Sequence, residues 1–283
     1  MPEIPDLEYI AHALKQRALG RPIEAVRVKE PIVLRQAIEG DLAELLVGAK
    51  LTAVERRAHF LRFTLDRPLE LIVNAMLAGR FKLAPREAKT EAALCLALDF
   101  GGEELRYLDD KKMGKVYLVR AGDHRQVPGF EARGLDTLGR AFTLERFTAV
   151  LEKRRDQVRP FIMDKRAIDA LGNAYADEVL WEARLHPKTR CSQLTPEEIA
   201  RLHAAIPKVL REAMAEVKRR QAPIEEKVRD FLKVRGRAGE PCPRCGTKIR
   251  TARVLDADAC FCPECQPAAR KLFIDWSKVP KKD

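Results

Sequence analysis

Cys242-Pro243-Arg244-Cys245 and Cys262-Pro263-Glu264-Cys265 are two C-x2-C turns separated by sixteen residues. Each turn offers two thiolates to one ion, and a short hairpin between the turns brings the pairs together. A segment this short buries too little apolar surface to fold alone, so metal binding has to supply its folding free energy. Two disulfides are the other use of such a pattern, but they require an oxidising compartment, and nothing in the sequence points to secretion. The expected cofactor is one structural Zn²⁺ on Cys242, Cys245, Cys262 and Cys265. The cysteines left over, Cys95, Cys191 and Cys260, read as small buried residues rather than nucleophiles.

Outward from this module, 283 residues leave room for a sizeable core and two domains. The composition, 46% hydrophobic and 34% charged, is that of a globular protein. Met1-Pro2-Glu3-Ile4-Pro5-Asp6 lacks the basic start and apolar centre of a signal peptide, and no apolar run reaches the length of a bilayer span. A cytoplasmic, nucleoid-associated monomer with no membrane attachment is the expectation. Charge is uneven: residues 1–150 carry a net +2 and residues 151–283 a net +9. A basic half that also holds a zinc module points to a polyanion, nucleic acid first, against a merely solvated basic surface.

Leu7, Ile10, Leu14 and Ala18 step at helical spacing and predict a helix over 5–18. β-rich runs follow at 25–28, 60–63, 69–73 and 115–119, with turn signals such as Asp66-Arg67-Pro68 and Gly101-Gly102 between them. They read as an antiparallel sandwich or barrel. Gln126 to Arg140 has loop composition, and the chain beyond it is helical. Thr195-Pro196-Glu197-Glu198 is a capping box that starts a helix with a stripe at Ile199, Leu202, Ile206, Leu210, Met214 and Val217. Pro207 should bend or interrupt it. Asn173, after Gly172, reads as the N-cap of a further helix, whose N-terminus suits phosphate.

Three motifs now stand in order. Met1-Pro2-Glu3-Ile4-Pro5-Asp6-Leu7-Glu8 resembles the N-terminus of the formamidopyrimidine-DNA glycosylase and endonuclease VIII family. Met163-Asp164, Gly172-Asn173-Ala174-Tyr175-Ala176-Asp177-Glu178 and His186-Pro187 are similar to its helix–two-turn–helix signature. Gly236-Arg237-Ala238-Gly239-Glu240-Pro241-Cys242 leads into a finger of that family's spacing. The resemblance spans nearly the whole chain and implies an α+β fold. Its parts would be an N-terminal catalytic β-sandwich (1–125), a linker (126–140), a helix–two-turn–helix domain (141–236), a zinc finger (237–268) and a tail (269–283).

The same resemblance implies a DNA repair glycosylase with β/δ-elimination lyase activity and damaged double-stranded DNA as partner. Pro2, exposed as a terminal secondary amine once Met1 is removed, would attack C1′ of the damaged nucleotide and form an iminium. An α-amino group has a pKa of about 8, so a useful fraction is neutral near pH 7. Glu3 would be the general acid/base. Asn173, with Arg159, would hold backbone phosphate, which positions a duplex without reading its sequence. Extruding the target base costs a few kcal/mol, and N-terminal-domain side chains would fill the void.

Several positions depart from the family pattern. His59 stands where a Lys usually engages phosphate; shorter and largely neutral, it makes a weaker contact, takes an acid–base task or has none. Asn74 replaces His in the void-filling loop, and Leu77 takes the place of its Met wedge. Lys111, Lys112 and Met113 replace Arg-Arg-Phe, losing the planar fork and flat ring that read the opposite base. A short segment between about Arg220 and Arg235 leaves the lesion pocket open to bulky or cross-linked adducts. At the finger tip Ala257, between Asp256 and Asp258, replaces the usual Arg, so either Arg250 or Arg253 takes over or the finger no longer clamps DNA in the usual way. A catalytically weakened damaged-DNA-binding protein of the same fold is the alternative, and an RNA-binding zinc protein explains the charge and finger but not the N-terminal motif.

Overall fold

Ile4, Leu7, Ile10, Ala11, Leu14 and Ala18 recur at helical spacing and are buried on one face of α1 (Ile4–Ala18), one residue longer than the sequence predicts. The computed structural model describes residues 2–131, 134–169 and 171–268. Met1 and the tail expected at 269–283 lie outside the described residues. The strands that follow are β1 (Ala25–Val28), β2 (Leu34–Gln36), β3 (Leu51–Arg57), β4 (Phe60–Leu65), β5 (Leu69–Asn74), β6 (Arg80–Pro85), β7 (Leu94–Asp99), β8 (Glu103–Leu108) and β9 (Lys115–Arg120). A short helix, α2 (Leu42–Leu46), separates β2 from β3.

One sheet runs β2-β9-β5-β4-β3 and the other β1-β7-β8-β6. Phe63, Leu71, Val73 and Leu118 of the first join Phe81, Leu96, Leu98 and Leu105 of the second, and α1, in a single apolar core. This is the expected sandwich, antiparallel except where β2 pairs with β9 in parallel. The four β-rich runs fall in β1, β4, β5 and β9. The second sheet was harder to read because β7 is buried on both faces and so does not alternate. Its neighbour β8 carries Arg106, fully buried, which donates to Glu104 and Glu91 and to the carbonyls of Pro85, Ala88 and Lys89.

Backbone packing divides the chain into two units, Met1–Arg133 with Leu210–Arg229, and Gly134–Val209 with Asp230–Asp283. Residues 210–229 thus fold with the N-terminal sheets, although they lie within the contiguous span 141–236 read from the sequence. Unit 2 contains α3 (Leu144–Leu151), α4 (Val158–Met163), α5 (Asn173–Glu182), the start of α6 (Pro196–Arg220) and the hairpin β10 (Arg250–Val254) and β11 (Ala257–Phe261). The α6 capping box is formed: Thr195 N donates to Glu198 Oε2 (3.0 Å), and Glu198 N to Thr195 Oγ1 (3.3 Å). Pro207 does not interrupt the helix. It forfeits one backbone bond at a cost of about 3 kcal/mol. Full burial of Leu202, Ile206 and Leu210 offsets this, at roughly 1.5–3 kcal/mol each. Among the described residues no helix is long and apolar enough to cross a membrane.

Candidate active site and metal centre

In unit 1, Pro2 is buried immediately ahead of α1, and Glu3 is the helix N-cap in extended conformation. Asp6, three residues on, accepts the Glu3 N–H through Oδ2 at 2.7 Å. The Arg229 guanidinium grips the same carboxylate with both forks, at 2.8 Å to Oδ1 and 2.5 Å to Oδ2. One turn further, Glu8 accepts from Arg56 Nε of β3 (2.7 Å). These contacts fix the backbone that presents Pro2 and Glu3. His59 lies just beyond Arg56, in the two-residue turn from β3 to β4, where Ala58 takes φ 55°. Its ring packs on Phe60 at 4.2 Å.

Two loops of unit 1 carry the expected wedge residues. Leu77 is 60% exposed in the loop between β5 and β6, which Asn74 organises by accepting the Met76 N–H (3.1 Å). Met113, 39% exposed, follows Lys111 and Lys112 in the loop between β8 and β9. Buried Asp109 shapes that loop by accepting from Lys111 N (3.0 Å) and Gly114 N (2.7 Å). Lys112 pairs with Glu30 at 2.9 Å, and Lys111 is exposed. Tyr107 joins the loops: a Cβ on Gly79 would lie 2.4 Å from its hydroxyl, and one on Gly114 only 1.7 Å. Burial, with the Asp109 charge beside it, pushes the Tyr107 phenol pKa up and keeps it neutral.

In unit 2 the helix signature forms a buried polar network. Gly172 is the N-cap of α5, and Asn173, expected there, is its first helical residue. Arg159, 2% exposed, donates to Asn173 Oδ1 (2.9 Å) and Asp177 Oδ1 (2.8 Å). Its guanidinium therefore orients Asn173 from within. Asp177 Oδ2 accepts Arg235 Nη1 (2.9 Å) and the Cys260 N–H (3.0 Å), tying α5 to β11. Glu178 accepts the N–H groups of Lys233, Val234 and Arg235. Burial raises its carboxyl pKa, and those backbone bonds act in the opposite direction.

The four finger cysteines converge, their Sγ atoms all within 4.8 Å of one another. Individual separations are 4.0 Å (Cys242–Cys265), 3.4 Å (Cys245–Cys262) and 3.5 Å (Cys245–Cys265). Tetrahedral zinc with Zn–S bonds of about 2.3 Å demands S···S distances of about 3.8 Å, so the donor set fits one Zn²⁺. Hydrogen bonding to Thr247 pulls the Cys245 thiol down to about 6, whereas burial and its neighbouring thiols push Cys265 up to about 12. Four adjacent thiolates need a cation. Around the site, Trp181 Nε1 donates to Cys242 Sγ (3.4 Å), and Arg244 stacks 3.8 Å over the Trp181 ring. Gln266 accepts the Cys262 N–H and donates to the Leu185 carbonyl, so the ligands are held from outside as well. At the hairpin tip, register pairs Val254 with Ala257 and leaves Leu255-Asp256 as the turn. Arg253 is exposed and sits 3.9 Å from Asp258.

Sequence reasoning missed Arg229 and Trp181 because their partners are distant in the chain, and Tyr107 because its fit against Gly79 and Gly114 is a matter of packing. Asp6 had a signal, an acidic residue three after the helix cap.

The comparisons agree with this layout. The formamidopyrimidine-DNA glycosylase N-terminal domain model matches residues 1–116, the H2TH domain model 134–222, and the zinc finger found in FPG and IleRS 239–268. A formamidopyrimidine-DNA glycosylase of Symbiobacterium thermophilum is 35% identical, over 97% of this chain and 92% of the relative. One from Latilactobacillus sakei is 29% identical, over 94% and 98%. A Lactococcus lactis FPG mutant in complex with Fapy-dG-containing DNA superposes with a TM-score of 0.85 at 29% identity, over 94% of this chain and all of that one. The wild-type Lactococcus lactis enzyme with oxidised-pyrimidine DNA gives 0.86 at 29% identity over the same shares. The expectation of bulky or cross-linked adducts finds no support in these matches. With all three segments in family order and a relative at 35% identity along nearly its full length, the chain belongs to the formamidopyrimidine-DNA glycosylase family and is a DNA glycosylase with abasic-site lyase activity.

Proposed function

We propose that this enzyme excises oxidised and ring-opened bases from double-stranded DNA through the amine of Pro2, freed by removal of Met1. The carrying observation is the N-terminal turn, where Pro2 and Glu3 lead into α1 with Asp6 and Arg229 fixing their backbone. The Pro2 nitrogen lone pair forms the N–C1′ bond, and the glycosidic bond breaks, its electrons leaving with the base. Glu3 supplies the proton that opens the sugar at O4′. A secondary amine yields a permanently charged iminium, which draws electrons when C2′ loses a proton and the 3′ phosphate departs. A second elimination releases the 5′ phosphate, and water returns Pro2 to the amine.

Asn173 takes a backbone phosphate at the start of α5, oriented by Arg159. Leu77 and Met113 fill the space left by the extruded nucleotide, and their exposure supports this use. Lys111 and Lys112 meet the opposite strand. His59 contacts phosphate near the reacting sugar, and Arg253 substitutes for the Arg missing at the finger tip. The bacterial sources of its relatives support work on nucleoid DNA in the cytoplasm.

Single-turnover base release from duplexes bearing formamidopyrimidine, 8-oxoguanine or an oxidised pyrimidine tests the assignment. Release that falls by at least about a thousandfold in Pro2→Gly supports it. Binding to these duplexes with no release from any of them overturns it.

A further inference from the structure

We propose that Asp6 and Arg229 are a charge-balanced positioning pair that sets the protonation of the attacking amine; the proposal rests on Pro2 being that nucleophile. Asp6 Oδ2 lies 2.7 Å from the Glu3 nitrogen. Consecutive backbone nitrogens are at most about 3.7 Å apart, so this carboxylate is within roughly 6 Å of the Pro2 nitrogen. Asp6 is 5% exposed, so water screens its charge poorly. A lone carboxylate there would stabilise the protonated amine, which cannot attack. Arg229, 223 residues away in sequence, cancels it with a bidentate grip.

Glu3 adjoins Pro2 as the general acid/base, and Glu8 is held by Arg56 from β3. On β4, which also packs against α1, Leu61, Phe63 and Leu65 share the core with the helix, and Arg62 lies on the other face of the strand with Glu70. The Asp6–Arg229 pair is thus the balance that substitution can tip in either direction.

The test is the pH profile of single-turnover borohydride trapping on a duplex with one abasic site, using the full-length zinc-loaded protein. Arg229→Met leaves the Asp6 charge uncancelled, so the acidic limb moves to higher pH by about half to one unit. Asp6→Asn leaves the Arg229 charge and moves the limb to lower pH by a similar amount. The double variant returns towards wild type, and Arg229→Lys keeps the limb within about 0.2 units. Slower trapping in both single variants with unmoved limbs overturns the proposal and reduces the pair to a structural clasp. Should Arg229→Met fail to fold, the downward shift in Asp6→Asn carries the same decision. Absence of any adduct with wild-type protein would instead defeat the Pro2 mechanism itself.

Discussion

The Tyr107 hydroxyl occupies the space that a side chain at Gly114 would enter, 1.7 Å from where its Cβ would stand. It also crowds Gly79, where a Cβ would stand 2.4 Å away, so one buried phenol locks the loops that carry Leu77 and Met113. Gly114→Ala should lower stability by about 1–3 kcal/mol through overpacking, and weaken binding to abasic-site DNA as the loop shifts. Tyr107→Phe removes the clashing oxygen and should recover part of both losses in the double variant. Urea unfolding and fluorescence anisotropy measure the two effects; additive losses would show that the contact is not the cause.

The helix network separates stability from affinity. Arg159→Leu strips buried Asp177 of one of its two arginines and should cost about 1.5–3 kcal/mol. Asn173→Ala loses one hydrogen bond, about 1 kcal/mol, yet should weaken abasic-site DNA binding roughly tenfold or more. Equal affinity in Asn173→Ala and wild type would remove Asn173 from the interface.

At the finger tip the loose Arg253–Asp258 pair gives a two-way test. Arg253→Ala should weaken DNA binding and reduce the slope of log affinity against log salt by about one. Asp258→Asn should strengthen binding, because it releases Arg253 from a competing carboxylate. Unchanged affinity in both would mean that another group holds phosphate at the finger.

Metal removal should unfold the finger. Purified protein should contain one zinc per chain, and chelation or Cys262→Ala should unravel residues 237–268. Trp181 reports this directly, because its indole donates to Cys242 and lies under Arg244. A shift in its emission on chelation, reversed by added Zn²⁺, is expected.

Acid sensitivity has an identifiable contributor. Burial, then the Lys188 charge, pulls the His186 pKa down to about 4 from its ordinary 6.5. The unfolded chain therefore binds a proton that the folded one refuses. This contribution is fully present above about pH 6.5 and is lost as pH falls towards 4, by roughly 2–3 kcal/mol. His186→Asn, which keeps an acceptor for the Lys188 N–H, should flatten stability across that window in pH-dependent urea melts.

What the sequence disclosed was local. The cysteine spacing, the Thr195–Glu198 box and the N-terminal motif each act within a few residues, and each stands in the structure as expected. Of the second sheet only β1 is legible in the sequence, because β7 is buried on both faces and β8 hides an arginine that composition would put at the surface. Pro207 stays inside α6 without interrupting it, because tertiary burial outweighs the loss of one backbone bond. Asn173 misled by one position: extended Gly172 caps α5, which frees the asparagine to be held by Arg159. The grips on the site, Arg229 on Asp6 and Tyr107 against Gly114, join residues whose partnership no local pattern encodes.

Borohydride reduction of the enzyme on an abasic-site duplex, followed by peptide mapping, identifies the attacking amine. One covalent adduct per chain is expected, carried on the nitrogen of Pro2 in protein lacking Met1, and abolished when the N-terminus is blocked. An adduct mapped to a lysine, or persisting with a blocked terminus, would contradict it.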